Sequence, residues 1–95
     1  MNNSKYFQIQ DFYKHLKHPE KYKGTRPLTM RSGWEIQYAQ WLDTHTSILE
    51  WASESNIIQY ISPLDGKSHR YFVDFWFLCK NQDGRTSEYL VEINQ

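Results

Sequence analysis

Apolar residues in this chain follow two periods. In "RSGWEIQYAQWLDTH" they recur every three or four positions, at Trp34, Tyr38, Trp41 and Leu42, and His45 extends the row. That spacing predicts an amphipathic helix. Ser32 suits its N-cap, and Glu35 stands three residues later, where it can complete a capping box. "NIIQYI", "HRYFVDFWFLC" and "TSEYLVEIN" are short and rich in β-branched and aromatic residues, so they predict strands. "ILEW" predicts a short extended segment, and "SPLDGK" and "NQDG" supply the turn residues between strands. Residues 1–28 predict irregular or weakly helical chain. A short helix over Asp11 to Lys17 ends before Pro19, and the connector "HPEKYKGTRPL" carries two prolines and a glycine. There is no internal repeat and no low-complexity tract. The order is a helix followed by a three-stranded antiparallel meander, an α+β arrangement.

The last turn fixes a register. A three-residue loop, Gln82-Asp83-Gly84, is a common hairpin form with glycine in the left-handed conformation at its end. Centring the hairpin on Asp83 pairs residues whose numbers add to 166, so Asp74 is expected to face Glu92 on one side of the sheet. A two-residue loop would put them on opposite sides. Facing carboxylates repel unless a cation lies between them, which is what a divalent metal site requires.

Composition narrows the classes. At 95 residues the chain is one domain by default, with a small core. Aromatic residues make up 17% of it, with four tryptophans, while the mean hydropathy is −0.81. The aromatics must therefore gather on one side of each element. No apolar run approaches the length of a membrane span, no membrane partner is expected, and "MNNSKYFQIQ" lacks the apolar core of a signal peptide. The single cysteine, Cys79, has no internal disulfide partner and predicts a buried free thiol.

Net charge is zero, but the signs are segregated. Residues 1–31 carry seven basic and two acidic residues, a net of +5, and the remainder carries four basic and nine acidic, a net of −5. This divides the chain into a basic N-terminal arm, 1–28, and a body, 29–95. A basic arm on an acidic body suits a protein that grips phosphates with one part and a metal with the other. An ordinary solvated tail would look the same.

Three carboxylates are the candidates for chemistry: Glu35 on the helix, Asp74 on the long strand and Glu92 on the last. Hard oxygen ligands from helix and strand suit Mg²⁺ or Mn²⁺, which can polarise a phosphate and acidify a bound water. Each has a plainer reading. Glu35 would complete the cap, Asp74 would be a hydrogen-bonded strand residue, and Glu92 would face solvent. Arg31, His69 and Arg70 flank the carboxylates and are candidates for DNA phosphate contacts, with a surface salt bridge as the alternative for Arg70. Glu54 in "WASE" is either a fourth ligand or a loop acid. Trp51 and Tyr60 are expected in the core.

"RSGWE", "EWASE", "YISPLDGKSHRYFVDF" and "YLVEIN", in that order, resemble the head-completion nucleases of tailed phages. More distantly they resemble the TnsA-like transposon endonucleases. Both belong to the restriction-endonuclease-like PD-(D/E)xK superfamily, and the resemblance runs from about Tyr22 to Gln95. It implies a restriction-endonuclease-like core and an Mg²⁺- or Mn²⁺-dependent endonuclease acting on double-stranded DNA. The setting it implies is the infected host cytoplasm or the virion, with phage head or neck proteins as partners. Glu35 would be the helix carboxylate, Asp74 the aspartate of the "PD" element with Val73 in place of proline, and Glu92 the acid of "ExK". The family's lysine two residues on is Asn94 here. Asparagine can hydrogen-bond a water but brings no charge to the transition state. Family members also continue with a further helix and strand, so the resemblance implies a core shortened at its C-terminal end. The alternative it leaves is a catalytically inactive DNA-end-binding or head-assembly protein of the same fold.

Overall fold

In the computed structural model, residues 9–54, 57–61 and 63–93 are described, with the backbone alone for 57–60 and 69–72. Helix α1 spans Gly33–Thr44. The Ser32 hydroxyl accepts the Glu35 N–H at 3.2 Å, and Glu35 Oε1 accepts the Arg31 N–H at 2.7 Å. The first bond satisfies a donor that the first helical turn leaves without an intrahelical partner, and the second ties the residue before the N-cap to the helix. The helix buries Ala39, Leu42 and Asp43, with Ile36 and Tyr38 packed against the core. Of the row read from the sequence, Leu42 and Tyr38 belong to that face, while Trp34 is 62% and Trp41 42% exposed. Fully buried Ala39 gives the helix a narrow face on which to approach the sheet. The indoles lie to one side, where Trp41 meets Phe77 edge-on at 5.9 Å and Tyr38 tilts against Phe75 at 5.1 Å.

The strands are β1 (Ile48–Ser53), β2 (Ile57–Ile61), β3 (Ser68–Phe72), β4 (Phe75–Lys80) and β5 (Thr86–Val91). One helix followed by a three-stranded antiparallel sheet makes the α+β domain that the resemblance implies, and the sheet order is β1-β4-β5. The membership of the sheet differs from the meander expected. "HRYFVDFWFLC" is two strands, broken at Val73 and Asp74, and β2 and β3 pair only with each other in a second, two-stranded sheet. The third strand of the main sheet is therefore the "ILEW" segment. A continuous apolar run cannot signal the point where a chain passes from one sheet to another.

The last hairpin has the expected register, from Phe75 opposite Val91 to Lys80 opposite Thr86. The Asn81 N–H reaches the Arg85 carbonyl at 2.7 Å, and Gly84 takes φ +85 in the turn. Cys79 is half-buried. Tyr60 has no described side chain, whereas Trp51 is fully buried at the centre of the core.

The basic stretch before α1 packs into that same core. Ile9 and Met30 exchange backbone hydrogen bonds at 2.9 Å, and the Lys23 N–H reaches the Trp51 carbonyl at 2.8 Å. Tyr22 meets Trp51 edge-on at 4.8 Å, and Phe12, Leu28 and Met30 are buried with it. Full burial of one such side chain is worth about 1.5–3 kcal/mol. That outweighs a surface ion pair of the kind the charge pattern offers, worth about 0–1 kcal/mol. The division at residue 28 follows surface charge, and the packing runs across it.

Asp43 holds this stretch to the helix. Its carboxylate accepts the Lys17 and His18 N–H groups at 2.8 Å each, and the residue is 3% exposed. Lys21 Nζ donates to the Asp43 and His45 carbonyls at 2.9 and 3.0 Å, supplying a cation at the helix C-terminus. Burial lowers the Lys21 pKa against the opposing pull of Asp43. Asp43→Ala orphans two backbone donors and is expected to cost about 2–4 kcal/mol. In thermal unfolding the midpoint should fall by more than about 8 °C, with Asp43→Asn in between.

Asp11 makes a second tie, accepting the Leu28 N–H at 3.0 Å and an Arg26 guanidinium N–H at 2.8 Å. The Leu28 N–H first, then Arg26, hold its pKa below the ordinary 3.8. A depressed carboxylate stabilises the fold above its unfolded value and loses that contribution as pH falls through the folded one. The gap in thermal midpoint between wild type and Asp11→Asn is therefore expected to be constant at pH 5–7 and to close as pH falls below 3.8.

Candidate active site

Four structural elements end together at one edge of the molecule, and Asp74 joins three of them. Its N–H donates to the Val91 carbonyl at 3.1 Å, its carbonyl accepts the Glu54 N–H at 3.1 Å, and its Oδ2 accepts the Ile93 N–H at 2.7 Å. Regular pairing of β4 with β5 stops at Phe75 and Val91, one residue short of Asp74. The Asp74 N–H takes the Val91 carbonyl, not that of Glu92, so the ladder is offset at this end. The carboxylate then satisfies a donor that the ended ladder leaves over.

The helix reaches the same edge through Arg31. Its backbone N–H is held by Glu35, and its guanidinium Nη1 lies 2.7 Å from Glu54 Oε2. Glu54 follows β1 directly and has φ +54, a left-handed conformation that only a minority of non-glycine residues adopt. A continuous path of hydrogen bonds thus runs from Glu35 through Arg31 and Glu54 to Asp74 and Ile93. Glu35 and Asp74, assigned to one site from the sequence, are linked through two residues, Arg31 and Glu54. Glu54 proves to be the middle of that path, and its sequence context, one acid after a strand, carries no signal of its backbone conformation.

The other candidates are placed less fully. Glu92 is exposed just beyond β5. Asn94 lies outside the described residues. His69 and Arg70 belong to β3, opposite Tyr60 and Gln59, and their side chains are outside the description. For a hard divalent cation the donor type is right, since Glu35, Asp74 and Glu92 all offer carboxylate oxygens. Among the described residues no three His, Cys, Asp or Glu side chains gather as a ready metal-binding group, so an ion held by these carboxylates would have to draw them together. No described helix is long and apolar enough to cross a membrane.

Comparison with known proteins places the chain in a family. The head completion nuclease of Enterobacteria phage T4 is 37% identical to the chain over 78 residues, which cover 81% of this chain and 49% of that protein. The chain thus spans about half the length of that curated relative. No solved structure matches it. The sequence model of the TnsA-like endonuclease N-terminal family matches residues 45–95, which include Glu54, Asp74, Glu92 and Asn94. With more than half its length under that model, the chain belongs to the TnsA-like endonuclease N-terminal family.

Proposed function

We propose that this chain is a metal-dependent DNA endonuclease of the PD-(D/E)xK type, acting on double-stranded DNA ends in phage head completion. The observation that carries the reading is the hydrogen-bonded path from Glu35 through Arg31 and Glu54 to Asp74, which supports a relation between the helix acid and the first strand acid of the family pattern. Family membership supports the reaction class, and the name of the phage relative supports the setting.

The roles follow from chemistry. Glu35, Asp74 and Glu92 are the residues that would hold Mg²⁺ or Mn²⁺, and such an ion supplies phosphate polarisation and an acidified water. Arg31 carries a planar guanidinium with five N–H donors, of which the Glu54 contact uses one on Nη1. It is more than half exposed and suits a phosphate oxygen of the bound strand. Its pairing with Glu54 is a surface ion pair worth about 0–1 kcal/mol, so a phosphate can compete for it. Asn94 would orient the attacking water by hydrogen bonding without offsetting charge on the transition state.

One observation favours a second reading. Asparagine where the family has lysine fits a protein that keeps the fold and binds DNA ends or head components without cutting. Plasmid cleavage in Mg²⁺ or Mn²⁺ separates the two. The unmodified chain should nick slowly, Asn94→Lys should raise the rate about 10²–10³-fold, and Asp74→Asn should abolish cleavage in either background. If neither chain cuts while both bind duplex, the second reading holds. If cleavage survives Asp74→Asn, the site is elsewhere.

A further inference from the structure

The two-stranded sheet of β2 and β3 is not accounted for by the site. Its strands pair with each other from Ile57 opposite Phe72 to Ile61 opposite Ser68, and neither joins the main sheet. A two-stranded ribbon alone is marginal in water and gains from lying against something. At its tip Gly66 takes φ +68 and the Lys67 N–H returns to Asp65 Oδ1 at 2.9 Å, so the turn is defined. Ile61 is 72% and Leu64 95% exposed there. The other end of β3 leads through buried Val73 straight to Asp74.

The register sorts the ribbon into two faces, because opposed residues share a face and successive ones alternate. Positions 57, 59, 61, 68, 70 and 72 fall on one, and 58, 60, 69 and 71 on the other. The first face therefore carries Gln59 directly opposite Arg70, and Ile61 opposite Ser68. Arginine pairs with guanine, glutamine with adenine, serine with several base edges, and an apolar group with the thymine methyl. The second face, with isoleucine, tyrosine and histidine, lacks that set. His69 and Arg70 are thus on different faces. A two-stranded ribbon also fits the major groove, roughly 12 Å wide. Five residues of strand span about 17 Å, or roughly five base pairs at about 3.4 Å each.

We propose that this ribbon enters the major groove of duplex DNA beside the phosphodiester held at the Asp74 edge, and that positions 59, 61, 68 and 70 form its base-reading face. This rests on the endonuclease reading above and adds to it a source of sequence preference. Duplex DNA is favoured as occupant over a second copy of the chain because base-reading residue types share one face and the ribbon is joined directly to the candidate site.

The test measures anisotropy of a labelled duplex without divalent ions, together with selection from a randomised duplex pool. Three chains are compared: the unmodified full chain, the Gln59→Ala/Arg70→Ala double variant, and Arg31→Ala. The double variant should bind selected duplex at least about tenfold more weakly and lose the preference, with an unchanged thermal midpoint, since the ribbon lies outside the main sheet. Arg31→Ala should weaken all sequences alike. Equal affinity and an undiminished preference in the double variant would overturn the ribbon's role while the endonuclease reading stands. An unmodified chain that binds no duplex overturns both. A dimer that Leu64→Ser converts to monomer would assign the ribbon to a second copy and overturn the proposal.

Discussion

Asp74 is the constraint on which the arrangement depends. It sits where the β4–β5 ladder ends and spends its backbone N–H, its carbonyl and one carboxylate oxygen on Val91, Glu54 and Ile93. Those bonds tie the ends of β1 and β5 to the point where the chain leaves one sheet for the other. An aspartate among aromatic residues is thus explained locally, because it supplies an acceptor that no apolar residue could.

The proposed function assigns a chemical duty to the same carboxylate, so on that proposal structural and chemical duties would meet on one side chain. Arg31 is connected to this residue through Glu54, being anchored to Glu35 by its backbone and to Glu54 by its guanidinium. Glu54 keeps this contact from a left-handed backbone position, which costs roughly 1–2 kcal/mol in a non-glycine residue. A surface ion pair of about 0–1 kcal/mol does not offset that cost.

Several of these features were legible in the sequence. Ser32 and Glu35 announced the helix start, and Gln82-Asp83-Gly84 gave the register of the last hairpin. What failed did so for identifiable reasons. Trp34 and Trp41 share helical spacing with Leu42, but spacing cannot distinguish the flank they occupy from the core face of Ala39 and Leu42. Charge divided the chain at residue 28, while Phe12, Tyr22 and Leu28, set between lysines, crossed the division. The offset at Asp74 was invisible because the residue-number symmetry of a hairpin assumes that its ladder continues. Asp43, the buried acid that holds residues 17 and 18, could have been found from its place on the helix seven residues after Ile36 and four after Ala39.

The central claim is that Asp74 serves the metal-dependent site as well as the fold. Asp74→Asn separates these duties, since the amide oxygen can still accept the Ile93 N–H while the charge is lost. Calorimetric titration of Mn²⁺ into wild type and Asp74→Asn, with thermal unfolding of both, reads them directly. The account predicts an affinity at least about tenfold weaker in a variant that melts near the wild-type midpoint. Equal Mn²⁺ affinity in the two folded chains would contradict it.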